Sequence, residues 1–272
     1  MTNTEVVAEL ERERDRRVLS IQSHVVHGYE TVKGQKLTEK ELEDLYEGLT
    51  ANKINNYTHV LTGYCGNVTF LQKIADVVKD LKQKDPETKF VCDPYTPKEL
   101  MPVYRDLIIP LADVLTPNAF ELGELTGSPI ETEEDCLKAV GELHAKGVKT
   151  IVVTSGVTGA QTKESLRCYA SVQGADCYRF TFPRLMGQFV GTGDVFASLL
   201  VVWLDELNGD ISEAVKKVLS SLQCLIRKTS DYAQLQVDTN SRAMCELRLI
   251  QSRKQLLWPP SCDKIHVEKV GK

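Results

Sequence analysis

Short apolar, β-branched runs alternate along this chain with segments whose apolar residues recur at helical spacing. Such alternation predicts an α/β fold: a mostly parallel central sheet with helices on both faces. Residues 18–21, 59–62, 89–92, 112–115 and 150–154 read as strands. The last is β-branched throughout with an apolar centre, the pattern of a strand buried on both faces. Helical spacing covers 38–49, 68–84, 97–107, 133–146, 194–207 and 212–230, and a short helix begins at 120–125. Thr38 and Glu41 stand in capping-box positions for the first of these. Residues 168–172 and 177–181 read as a hairpin. The pattern predicts one domain over 18–272, preceded by a charged extension over 1–17.

Composition narrows the class. The 272 residues are 42% hydrophobic and 26% charged, ordinary globular usage, which excludes a wholly disordered or fibrous chain. The net charge of −5 argues against sequence-independent nucleic-acid binding, which needs a basic surface. The longest mainly apolar run, 195–204, is too short to cross a bilayer, so no membrane is expected as a partner. Residues 1–17 hold no apolar stretch of the kind a secretory signal needs. The eight cysteines include no CxxC pair, which leaves zinc and dithiol motifs without support. Reduced thiols in a cytoplasmic protein are the plain expectation. The five histidines show no metal-ligand spacing, and the lysine-rich stretch 79–84 reads as a solvated helix face.

In open α/β sheets ligands gather at the carboxyl ends of the strands. Six polar or glycine-rich clusters fall there: Gln22-Ser23-His24, Gly63-Tyr64, Asp93-Pro94, Thr116-Pro117-Asn118, Thr154-Ser155-Gly156 and Gly191-Thr192-Gly193-Asp194. The last opens a helix. Its glycines allow a tight turn, its free amides attract phosphate, and Asp194 can take a proton from a substrate hydroxyl. Read alone, it is equally a glycine turn before an acidic cap. It is neither GxxxxGK[ST] nor GxGxxG, so P-loop and dinucleotide readings lack their motifs. Asn118 and Glu121 can offer oxygens to Mg²⁺, or can simply begin a helix. Asp93 follows a buried strand, where a carboxylate needs a partner or cation; it can also just begin a turn.

Taken together, Ser20-Ile-Gln-Ser-His-Val25, Leu61-Thr-Gly-Tyr64, Val91-Cys-Asp-Pro94, Leu115-Thr-Pro-Asn-Ala-Phe-Glu121, Val153-Thr-Ser155 and Phe189-Val-Gly-Thr-Gly-Asp194 resemble the pyridoxal kinase family of the ribokinase-like superfamily. Tyr46-Glu-Gly-Leu49 and Glu246-Leu-Arg-Leu-Ile-Gln-Ser252 also match, so the likeness runs in order from Val18 to about Gln255. The resemblance implies ATP-dependent phosphorylation of the 5′-hydroxyl of pyridoxal, pyridoxine and pyridoxamine. It makes Asp194 the catalytic base, with the Gly191, Thr192 and Gly193 amides on the transferred phosphoryl group. Thr192, Asn118, Thr154, Ser155, Tyr95, Leu185, Met186 and Gly187 would bind ATP. Asp93, Thr116 and Thr154 would hold a monovalent cation, K⁺ or Na⁺, while Asn118 and Glu121 would serve Mg²⁺ or another divalent cation. Ser23 would hydrogen-bond the pyridine ring and Tyr64 would lie beside it. A cytoplasmic homodimer is implied as well. The alternatives are a hydroxymethylpyrimidine or other small-alcohol kinase of the same fold, or a non-catalytic nucleotide- or vitamer-binding derivative.

The chain departs from the family in two places. After Tyr29 the family continues through a strand–helix–strand unit, whereas this chain passes to Glu30-Thr-Val-Lys-Gly-Gln35. The unit carries part of the substrate pocket, including a threonine that binds the ring, and part of the dimer surface. After Pro94 the family has a glycine-containing loop with a second aspartate; here Tyr95-Thr-Pro97 follows at once.

Overall fold

Five parallel strands form one half of the sheet and place their carboxyl ends along a single edge. The computed structural model describes residues 16–22, 36–94, 97–235 and 242–271. β1 (Val18–Ile21) pairs with β2 (His59–Thr62), β2 with β3 (Lys89–Cys92), β3 with β4 (Val114–Leu115) and β4 with β5 (Thr150–Val153), all in parallel. β6 (Ser165–Val172), β7 (Cys177–Pro183) and β8 (His266–Gly271) continue the sheet antiparallel. The eight strands lie in sequence order.

The expected α/β architecture is present, and the sheet is mixed rather than purely parallel: four of its seven strand pairings are parallel. The reason is local. β6 and β7 are joined by a short turn through Gly174 at φ +74°, and so tight a connection permits only antiparallel pairing. β8, which sequence patterning did not anticipate, then adds to the outer edge of β7.

Two apolar layers cover the sheet. On one face lie α1 (Glu39–Ala51), α2 (Val68–Lys84), α3 (Ala119–Thr126) and α4 (Glu133–Ala145), packed on Val60, Phe90, Leu115 and Ile151. On the other lie α5 (Thr192–Glu206) and α6 (Ile211–Gln234), packed on Leu61, Val91, Val114 and Val152. Neighbouring strand residues thus enter opposite layers, as the pleat requires. The Thr38–Glu41 capping box is present at α1, and Thr132–Asp135 forms another at α4.

The helix expected over 97–107 is a composite. A 3₁₀ turn, one α turn over Met101–Val103, a π segment over Tyr104–Ile108 and another 3₁₀ turn follow one another. Pro102 and Pro110 each lack the N–H that a continuous helix needs. At the amino end, Arg16 is buried, donates to Val202 O and pairs with Asp205 and Glu206. The folded part therefore already includes Arg16. Among the described residues β1 is the outermost strand on its side, with Val18, Leu19 and Ser20 only half-buried where β2 is wholly buried. Tyr29, Glu30 and Tyr95, which flank the two departures from the family, lie outside the described residues.

Candidate active site

The strand register aligns the candidate residues. Ile21 lies beside Thr62, Thr62 beside Cys92 and Cys92 beside Leu115. The next residues, Gln22, Gly63, Asp93 and Thr116, therefore line one edge. The ladder carries one step past the strands: Gly63 N–H donates to Ile21 O, Asp93 N–H to Thr62 O and Thr116 N–H to Cys92 O. Thr154 reaches the same edge from β5, where its N–H donates to Pro117 O at 3.0 Å. The Ser155 carbonyl accepts from Ala119 N–H at 2.8 Å, which seats this loop on the start of α3.

The glycine turn closes the group from the other side. Gly191 has φ +86° and caps α5, whose first residues are Thr192, Gly193 and Asp194. No helical carbonyl precedes these amides, so this turn is a polarised anion cradle of the kind that binds phosphate. A β-bridge between Val190 and Glu246 braces the turn with the C-terminal segment. A Cβ built on Gly193 would lie 3.6 Å from Asp93 Oδ2, so turn and strand end face each other.

Three carboxylates converge here. Thr116 donates its hydroxyl hydrogen to Asp93 Oδ1 at 2.7 Å. Burial nevertheless pushes Asp93 up to about 7, and the nearby Asp194 charge adds to that rise. Burial likewise raises Glu121 to about 8, with the Asp93 charge contributing. Glu121 also closes a capping box at α3: its Oε2 accepts from Asn118 N–H at 2.8 Å, and Asn118 Oδ1 accepts from Glu121 N–H at 2.9 Å. The helix-start reading of this motif is therefore realised, with Asn118 rather than Pro117 at the boundary. Asp194 Oδ1 accepts from the Gln22 side-chain amide at 3.1 Å. Among the described residues no lysine, arginine or histidine forms an ion pair with Asp93 or Glu121. Confined carboxylates without a basic partner either keep a proton, as these raised values imply, or could hold a cation once ionised, for which an all-oxygen set suits Mg²⁺ or an alkali ion.

The remaining candidates are less concentrated. Tyr64 follows Gly63 and is half-buried. Leu185, Met186 and Gly187 occupy the loop between β7 and α5, with Met186 80% exposed. Ser23 and Tyr95 lie outside the described residues. Gln22 and Gly63 carry no motif role of their own; only their strand-end positions mark them in the sequence. Cavities of about 440 and 550 Å³ lie at the opposite pole of the sheet and beside α3; of the six strand-end clusters, only Gly156 lines either of them.

The chain as a whole has similar proteins among known sequences and structures. Residues 24–237 match the pfkB family carbohydrate kinase model. A Caenorhabditis elegans protein provisionally named a pyridoxal kinase is 74% identical, with all of both chains covered. The pyridoxal kinase of Sus scrofa is 34% identical over 90% of this chain and 93% of its own.

The chain belongs to the pyridoxal kinase family.

Members of this family are kinases, that is, phosphotransferases. Among solved structures, the Leishmania donovani pyridoxal kinase in complex with ADP and pyridoxamine is 29% identical. It superposes with a TM-score of 0.82 and covers 94% of this chain and all of that one. The Caenorhabditis elegans alignment runs over 320 positions, more than the 272 residues of this chain, so that pyridoxal kinase relative carries segments with no counterpart here.

Proposed function

We propose that this chain transfers the γ-phosphoryl group of ATP to the 5′-hydroxyl of pyridoxal, pyridoxine and pyridoxamine, with Asp194 as the base. The observation that carries the reading is Asp194 in the first turn of α5, behind the glycine turn and facing the Asp93–Glu121 edge. The substrate oxygen attacks phosphorus in line, its proton passes to the Asp194 carboxylate, and the bond to the leaving ADP oxygen breaks. The Gly191, Thr192 and Gly193 amides hold the charge of the transferring group.

Asp93, Thr116 and Thr154 would hold a monovalent cation, and Asn118 and Glu121 a divalent one. When bound, these ions neutralise charge on the phosphates. The chain's own groups supply the frame: Thr116 orients Asp93 and the α3 cap orients Glu121. Thr192, Ser155, Leu185, Met186, Gly187 and Tyr95 are assigned to the nucleotide, and Ser23 and Tyr64 to the vitamer. A cytoplasmic homodimer completes the proposal; eight free cysteines accord with a reducing compartment.

Asp194→Ala tests the base. The expected outcome is a loss of kcat of roughly a hundredfold or more with ATP binding kept; turnover retained at the wild-type rate rejects the assignment. The longer relative favours one second reading, a chain that binds nucleotide without turnover. ADP release on adding pyridoxal to the wild-type protein decides between the two.

A further inference from the structure

Gln22 is the first residue beyond β1, and its side chain crosses to α5. Its Nε2 lies 3.1 Å from Asp194 Oδ1. An ionised carboxylate only accepts, so the amide nitrogen is the group that must face it. The opposite carboxylate oxygen, Oδ2, faces the glycine turn: a Cβ built on Gly191 would lie 3.9 Å from it. The two oxygens thus have different neighbours, an amide donor on one side and the anion cradle on the other.

Gly63 makes this geometry possible. It is buried at the end of β2, next to β1. A Cβ added there would lie 2.5 Å from Gln22 Nε2 and 3.3 Å from Gln22 Cδ. Any side chain at 63 would therefore displace the amide from Asp194. Gly63 does not have a positive φ, so alanine suits its backbone and the obstacle is the Gln22 side chain.

We infer that Gln22 is a positioning residue for phosphoryl transfer: its amide sets the rotation of the Asp194 carboxylate, directing Oδ2 to the Gly191–Gly193 turn, and Gly63 keeps the space the amide occupies. The inference rests on the reading of Asp194 as the base. A base fixed in one rotamer reaches the substrate hydroxyl without first reorganising. An amide that only filled space would show no dependence on its donor hydrogens.

The test is a cycle of Gln22→Ala, Gly63→Ala and the double variant, with Gln22→Glu and Asp194→Ala alongside. Turnover is measured as ADP release with ATP and pyridoxal. Gln22→Ala is expected to lower kcat about tenfold or more with KM for ATP within about twofold. Gly63→Ala should do the same, and the double variant should be no slower than Gln22→Ala alone, because both act through one contact. Gln22→Glu keeps the shape without the donor and should be at least as slow as Gln22→Ala. Wild-type kcat in Gln22→Ala or Gln22→Glu, or losses that multiply in the double variant, overturns the inference. If Asp194→Ala is inactive while Gln22→Ala is normal, the inference fails alone; if Asp194→Ala is active, the base assignment fails and this inference with it. A readout independent of turnover is the side-chain amide NMR signal of Gln22 in the full chain. It should move on Asp194→Ala and on Gly63→Ala, and a signal unmoved by both rejects the contact.

Discussion

The Asp93 charge lies close enough to Glu121 to add to the effect of burial, which already holds the Glu121 carboxyl up at about 8. Asp93 itself stands at about 7. Both groups therefore hold protons at pH values where a free carboxyl has lost them. A cation binding at this edge must displace those protons. Affinity for Mg-ADP should rise as pH increases from about 6 to about 9, with protons released on binding. Calorimetry in buffers of different ionisation enthalpy measures the release; pH-independent affinity would count against a cation at these residues.

The same shift fixes a stability trend for the ligand-free protein. Asp93 goes from its ordinary 3.8 to about 7 on folding, so the folded state keeps a proton that the unfolded chain has lost. Its contribution is complete below about pH 4 and is lost as pH rises through about 7. Asp93→Asn should melt higher than the ligand-free wild type at pH 8, by about 2–6 °C, and the gap should close towards pH 4. Thermal melts at the two pH values check the sign.

Asn118 and Thr132 cap different helices by the same geometry, but only Asn118 is in the proposed site. Replacing either with alanine should cost about 1 kcal/mol of stability. Only Asn118→Ala should also raise KM for ATP, because its cap holds Glu121. An equal KM effect from Thr132→Ala would show that the change is merely structural.

Gly191 has φ +86°, where a Cβ is strained whatever the space around it. Gly191→Ala should destabilise the chain by about 1–2 kcal/mol and, if the turn holds the transferring group as proposed, affect kcat more than KM for pyridoxal. Steady-state kinetics with thermal melts separates the two effects.

Asp113 lies at the opposite pole of the sheet and serves as a control. Burial opposes its charge, yet the Lys82 ammonium and the Phe90 N–H, which donates to it at 2.9 Å, hold its carboxyl below the ordinary range. Lys149 also pairs with it, at 3.2 Å. This contribution is present above the unfolded value and is lost as pH falls. Asp113→Ala should cost about 2–4 kcal/mol at pH 7 with kcat unchanged, and the cost should shrink in acid.

Several features were legible from the chain alone. α2 spans the predicted 68–84, because apolar residues at helical spacing and an Asn67 cap leave little choice. The α1 capping box is a local device and followed from Thr38 and Glu41. The composite segment over 98–111 was less legible, since its interruptions come from prolines inside an otherwise helical pattern.

By itself, the sequence determined the alternation of strands and helices, the polar clusters at strand ends and the family, since these depend on local periodicity and on motifs in order. Tertiary structure decided what those motifs meet. It extended the sheet by β8, which finds its partner only once β7 has an open edge. It raised Asp93 and Glu121, because burial and a neighbouring carboxylate exist only in the folded chain. It also brought Gln22 from β1 to Asp194 on α5, a contact visible only when register sets Gly63 beside them and leaves no Cβ in the way.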